Sequence, residues 1–390
     1  MENNINDTDI NLENSMIDRT ETENFAKRKI SIRQLMILFF FTTVSGIMRA
    51  TVNLTDTSQT ASKAVWLTPL AALLPVLLLI FILNEVTKKH REKSLAQIIE
   101  MVLGKILGKI VLFAFFTHII FYISFYVRNF AEKFIASIFS EISPSFFMIV
   151  LILIAVFAAR RNIEAFARFS EIAFILLIAV FVIAFFISIF SINPKNIYPV
   201  TSYDIMPVLK SSVPIISLLS LLTFALFLGD SVTQPKSNPD IFKQTAAKFV
   251  LFLTLFNLVG TLIIVGIFNA ETIQHMSMPY FMMFKTIKTT GLIQGLETFF
   301  ILFWVCTDFI LITYYLFVLS KVSGKLFELD KSELFIAPLV FIILILAHFI
   351  GVNEVEAEYF YSNIINYSSI VLGLGLPVVI LIAGKARKIL

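Results

Sequence analysis

Few side chains in this 390-residue chain could do chemistry, and they are scattered through apolar sequence. Asp308 stands inside FWVCTDFILIT, and Glu297 lies eleven residues before it, about 16 Å along a helix. An ionisable group at membrane depth is costly and points by default to a ligand or an ion path. Asp308 would therefore carry a proton or ion, pair with a cation, or bind a ligand amine, with a neutral structural carboxyl as the bland alternative. Glu297 is the second candidate for ion coupling. His118 and Tyr122 are four residues apart and share a helical face, either as a cavity wall or as hydrogen-bonded core.

Hydroxyls form two further groups. Thr42-Thr43-Val44-Ser45-Gly46 interrupts a bulky run. Small residues with a glycine suit an unwound segment whose freed amides hold a ligand carboxylate, or a close helix-packing face. Ser217, Ser220 and Thr223 recur at helical spacing and could mirror that group, or bond back to helical carbonyls. Arg49 pairs with an acid or snorkels outward, Arg128 and Glu132 read as a solvated ion pair, and Asp230 reads as solvated. Glu171 and His348 are weaker candidates. No phosphate-cradling glycine loop, HExxH or GxSxG is present, and the lone Cys306 excludes a disulfide framework and a thiolate metal site. No enzyme, cofactor, metal or catalytic residue is expected.

The elements that must position these residues are helices in a membrane. Hydrophobic residues make up 58% of the chain and charged ones 15%, with a mean hydropathy of +0.87, too apolar for an ordinary soluble protein. Apolar runs fall at about 32–52, 66–86, 106–127, 145–159, 169–192, 214–230, 247–268, 292–320, 334–352 and 366–384. Each is long enough to approach a span and too continuous for barrel strands. The fold class is thus an all-α integral membrane protein of ten transmembrane helices. Residues 1–26, Asn-rich and acidic, read as a disordered tail ahead of a membrane domain at 27–390, with no cleavable signal peptide. Lys and Arg gather at 27–33, 88–109, 160–168, 236–248, 321–331 and 385–388, so the positive-inside rule puts both termini in the cytoplasm. That accounts for the basic pI without nucleic acid. Ser94–Val102 reads as a Ser-capped amphipathic helix on the cytoplasmic surface, Met278–Ile287 as a short interfacial helix, and the proline-punctuated Asn193–Val213 as an extended outer loop.

Taken in order, these segments resemble the spore germination receptor B-subunit family (endospore germination permeases) of the amino acid/polyamine/organocation transporter superfamily. The resemblance runs from Ile30-Ser31-Ile32-Arg33-Gln34-Leu35 through Trp66, KSLAQIIEMVLGKILGKI (93–110), AARRNIEAFARFSEI (158–172), YPV (198–200), FLGDSV (227–232) and GLETFFILFWV (295–305). It implies a LeuT-like fold of two inverted five-helix repeats, about 29–193 and 207–388, with spans 1 and 6 discontinuous at the ligand site. It implies that Thr43 to Gly46 is the unwound part of span 1, that His118 and Tyr122 wall the cavity from span 3, and that Thr307 to Leu311, including Asp308, wall it from span 8. It further implies a germinant-sensing subunit of the inner spore membrane that works with an A subunit and a C lipoprotein subunit. The chain departs from the family pattern in having Arg49-Ala50-Thr51 where a proline is usual and no central glycine in span 6.

Two functions follow. One is a nutrient receptor that binds a small germinant, an amino acid by class, and shifts between states. The other is a secondary amino acid transporter coupled to H⁺ or Na⁺ through Asp308 or Glu297. Sensors and transporters share folds, so sequence leaves both open.

Overall fold

The computed structural model describes residues 29–137, 142–233, 238–273, 275–276, 278–286, 296–329, 335–350 and 354–390, with backbone alone at 48–62, 136–137, 296–297 and 354–355. The tail at 1–26 and the side chains of Glu297 and Arg49 lie outside the described residues. Numbering only the helices that carry the apolar runs, α1 is Ile32–Ala61, α2 Thr68–Thr87, α3 Lys105–Ser137, α4 Pro144–Ala159 and α5 Ile163–Ile189. α6 is Val213–Ser220 with its continuation Leu222–Ala225, α7 Ile241–Phe268, α8 Leu296–Leu326, α9 Ile336–Phe349, and α10 covers 354–386.

Seven helical stretches are long and apolar enough to cross a membrane, and shorter apolar helices at Ile32–Ile47, Pro144–Ala159 and Ile336–Phe349 stand where the other three runs lie. Their surroundings differ in a way that sets the layers. The most apolar 18-residue window of Ser202–Ser231 is 83% buried by its neighbours, whereas that of Ile163–Ile189 is 28% buried, and the latter helix exposes Ile172, Ile175, Leu176, Val182 and Phe186. A contiguous apolar face of that size is stable only against lipid or a partner, so α6 is central and α5 peripheral. Each of the first four helices packs against the helix five places further on: α1 on α6, α2 on α7, α3 on α8 and α4 on α9.

α1 runs unbroken, which corrects the expected unwinding at Thr43 to Gly46. The hydroxyls of Thr42 and Thr43 donate to the Phe39 carbonyl at 2.7 and 3.0 Å, so they stay within the helix instead of disrupting it. Gly46 serves close approach: a Cβ there would stand 2.2 Å from Leu218 Cδ2 on α6.

α6 is interrupted at one residue, Leu221, which keeps helical backbone angles, so the unwound break that the resemblance implied is not present. It stops at Ser220, and the Leu221 amide reaches back to Leu218, three residues away. A short helical turn follows and then a 3₁₀ stretch, Leu226–Ser231. Beyond it, Val232–Thr233 (β2) pairs in parallel with Ile30–Ser31 (β1), tying the end of α6 to the start of α1. α10 contains two π-helical turns, Tyr361–Ile365 and Val371–Gly375, which sequence gave no reason to expect.

The connecting helix Leu95–Leu103 has the expected Ser94 cap, with Gln97 completing a reciprocal capping box. It is a packed clamp more than a surface helix. Leu95, Ile98, Ile99 and Val102 are buried, Glu100 pairs with Lys325 of α8, and Arg387 donates to the Val102 carbonyl at 2.8 Å. Nearby, Lys109 and Lys105 of α3 hold Glu328 at 2.8 and 3.2 Å, and hydrogen bonding from Lys109, then Lys105, lowers that carboxyl to about 2. Asp240, which accepts from Asn84 at 2.9 Å, is likewise held below the usual carboxylate value. Asp230, expected to be solvated, pairs with Lys321 at 2.8 Å.

On the other side, Pro279–Thr286 forms the expected short helix. The segment expected to be extended does not stay so: Pro194–Ile197 and Ile205–Ser211 are helical. Its prolines at 194 and 207 sit in the first turns of those helices, where a missing amide donor costs nothing.

Candidate functional site

Three helices meet at Asp308, whose side chain is fully buried on α8. Ser45 of α1 donates its hydroxyl to Oδ1. The Trp304 indole, one turn earlier on α8, donates to Oδ2 at 2.5 Å. Lys133 of α3 brings Nζ to 3.4 Å from Oδ2 and lies 5.0 Å from the centre of the Trp304 ring. A buried carboxylate is tolerable only when paired and hydrogen-bonded, and here both oxygens are engaged. In this arrangement Asp308 is paired with a cation.

Lys133 and Trp304 are the residues that sequence reasoning missed. Lys133 reads as one more basic residue at an outer helix end. Its position was nevertheless a signal: it lies eleven residues after Tyr122, about three turns, and so shares the face of His118 and Tyr122. Arg128 and Glu132, expected to form an ion pair, bond each other at 2.7 Å.

Deeper along the same two helices lies an aromatic wall. Tyr122 of α3 and Tyr315 of α8 have ring centres 4.6 Å apart, Tyr126 is 4.7 Å from Tyr122, and Tyr314 is 5.1 Å from Tyr315. The hydroxyls of Tyr122, Tyr314 and Tyr315 are buried and make no hydrogen bond of sound geometry. Buried polar atoms without partners are uncommon and call for an explanation. Trp304 to Tyr315 and Tyr122 to Lys133 are both eleven-residue steps, so two antiparallel faces place the ion pair at one end and the tyrosine pair at the other.

His118 completes the wall against α10, with Nδ1 2.8 Å from Ser368 Oγ and Nε2 3.5 Å from Ser369 Oγ. Its ring lies 5.3 Å from Phe224 of α6. The α6 hydroxyls take another role. Ser217, Ser220 and Thr223 donate to the α10 carbonyls of Asn366, Ser369 and Gly373 at 3.1, 3.0 and 2.5 Å. They bond across to a neighbouring helix and not toward the Asp308 node, and Ser220 also bonds back along its own helix to the Ser217 carbonyl at 2.7 Å. Gly373 is required by this seam, since a Cβ there would meet the Ser220 carbonyl oxygen at 2.6 Å. Thr307 donates to Phe303 on its own helix at 2.9 Å.

The expected site residues thus divide. Ser45, Asp308, His118 and Tyr122 are brought to one α1–α3–α8 surface facing α6. Thr42, Thr43 and Thr307 are engaged within their own helices, and Gly46, Ser217, Ser220 and Thr223 hold helices together. His348 lines a separate apolar cleft of about 250 Å³ between α4 and α9, with Met148 and Phe349. Glu171 accepts from Gln34 at 3.1 Å and joins α5 to the first turn of α1.

A buried polar centre walled by paired apolar helices places the chain among helical membrane proteins with a transporter-like fold. Residues 29–355 match the spore germination protein family (spore permeases), and the chain belongs to that family. Among solved structures it is similar to Mhp1, a nucleobase-cation-symport-1 family transporter in a closed conformation with bromovinylhydantoin bound. That likeness has a TM-score of 0.65 and 11% identity over 94% of this chain and 80% of that one. It is also similar to two substituted forms of the Eremococcus coleocola manganese transporter, with TM-scores of 0.58 and 0.56 and identities of 15% and 14%, each over 90% of this chain and 78% of the other. These likenesses establish the fold. No curated protein matches the sequence.

Proposed function

We propose that the chain is the ligand-sensing subunit of a spore germination receptor, and that it binds a small zwitterion of the amino acid class between α1, α3, α6 and α8. The observation that carries this reading is the Lys133–Asp308 pair beside Ser45. An amino acid presents an ammonium and a carboxylate a few ångströms apart, the charge pattern that complements an opened Asp–Lys pair. Asp308 accepts the ammonium and Lys133 takes the carboxylate, so one internal ion pair is exchanged for two. Tyr122 and Tyr315 line the side-chain end, where their buried hydroxyls can answer polar groups of the ligand.

Signalling needs only that the ligand bind one arrangement better than another. Ser45 and Lys133 report to Asp308 from α1 and α3, so drawing them onto a ligand shifts both helices relative to α8. In this reading ten helices cross the inner spore membrane as two inverted repeats, about 29–193 and 207–388, with both termini cytoplasmic. The A subunit and the C lipoprotein subunit receive the shift.

A transporter reading is supported by the fold neighbours, and the two separate in one experiment. Spores lacking the gene, complemented with the wild-type chain, are tested for germination across an amino acid panel, with uptake measured in parallel in proteoliposomes. Restored germination to a defined amino acid without uptake is expected. Ion-driven uptake with germination unaffected by the deletion overturns the receptor in favour of the transporter.

A further inference from the structure

The cytoplasmic side carries a second, chemically different cavity. An open cleft of about 540 Å³ is lined by Lys29, by the turn after α2 (Lys88, Lys89, His90, Arg91, Glu92 and Lys93), and by Val232 and Thr233 of β2. Five cations and a histidine face one carboxylate. Lys88 is shared with Glu85 and Asp240 at 3.8 and 3.7 Å, and Arg91 donates to the Lys88 and Asn238 carbonyls. Lys29 and Lys89 have no ion pair among the described residues and are exposed. The cavity straddles the β1–β2 pair and so touches the start of α1, the end of α2 and the end of α6 together.

The chain itself holds a complementary segment. Residues 1–26 contain Glu2, Asp7, Asp9, Glu13, Asp18, Glu21 and Glu23 against a single cation, Arg19. The segment joins the described structure at Lys29, a wall of the cavity. Glu21 and Glu23 are six to eight residues from that wall, a reach of roughly 20 Å or more of extended chain. A short tether presents its charges at an effective concentration in about the millimolar range.

We propose that the acidic amino-terminal segment docks in this basic cavity as a tethered intramolecular ligand. By bridging Lys29, the α2 turn and β2, it clamps the cytoplasmic ends of α1, α2 and α6. Being electrostatic and solvent-facing, the clamp releases at high salt.

The test is zero-length carbodiimide coupling of carboxylates to lysine amines in the purified full chain in phosphatidylcholine nanodiscs, read by peptide mass mapping. The exposed Lys109–Glu328 pair, at 2.8 Å on the same side, is the internal positive control. Expected are links from residues 1–26 to Lys88, Lys89 or Lys93, lost at about 1 M salt, where the Debye length falls to about 3 Å. In a Lys29→Glu/Lys89→Glu variant that keeps the control link, those to Lys88 and Lys93 should fall away. Absence of tail links while the control forms overturns the proposal, as does persistence of the links in that variant. Links found only between isotopically labelled and unlabelled copies, or links displaced when phosphatidylglycerol is added, also overturn it, in favour of a second chain or a lipid headgroup.

Discussion

Lys133 and Asp308 lie 175 positions apart in sequence, yet Nζ of the first stands 3.4 Å from Oδ2 of the second, and Ser45 of a third helix holds the other carboxylate oxygen. The carboxylate is fully buried and the lysine side chain 14% exposed. Removing one partner leaves an uncompensated charge, whereas removing both leaves none.

Asp308→Asn or Lys133→Met should each destabilise the purified protein by about 3–5 kcal/mol, and the double variant should recover much of that loss. Thermal unfolding in one detergent measures it. Single and double variants that melt alike with the wild type would show that the pair does not hold α3 to α8.

The approach of α1 to α6 rests on a missing side chain. Gly46→Val should cost about 1–3 kcal/mol by overpacking against Leu218. Leu218→Ala in the same chain should return part of it, because the methyl groups in the way are removed. A Gly46→Val chain of unchanged melting temperature would refute the close contact.

Thr223→Val keeps the shape but deletes the hydrogen bond to the Gly373 carbonyl, and should cost about 1 kcal/mol. Ser217→Ala and Ser220→Ala should act in the same direction, since all three seal α6 to α10. Ligand affinity is expected to change little in Thr223→Val. A large loss of affinity at unchanged stability would move these hydroxyls into the ligand site.

Acid should loosen the Glu328 end of α8. Glu328 is lowered from an ordinary value of 4.5 to about 2 by Lys109 and Lys105. Its stabilisation is therefore complete above the ordinary value and is lost as pH falls toward about 2. Glu328→Gln should melt lower than the wild type at pH 6 and converge with it on acidification. A constant gap at all pH values would exclude this linkage.

Much of this architecture was written in local pattern. The apolar runs, the basic clusters and the Ser94 cap each depend on neighbours within a few residues, where sequence is a direct guide. Asp308 stood out because a carboxylate in apolar sequence is anomalous by itself. The misreadings concern pairing across helices. Thr42, Thr43 and Gly46 have the same composition whether a helix unwinds or packs, and only Leu218 opposite decides it. Lys133 looked like a topology marker because nothing near it in sequence reveals Asp308. The π turns of α10 accompany contacts with Ser217, Ser220, Thr223 and His118, residues about 150 and 250 positions away.

The most direct measurement is calorimetric titration of the germination-active amino acid into purified wild-type, Lys133→Met and Asp308→Asn protein, beside its methyl ester, which lacks the carboxylate charge. Binding to the wild type should favour the free acid over the ester, Lys133→Met should lose that preference, and Asp308→Asn should bind neither form measurably. Wild-type affinity and preference in both variants would contradict a zwitterion held between Lys133 and Asp308.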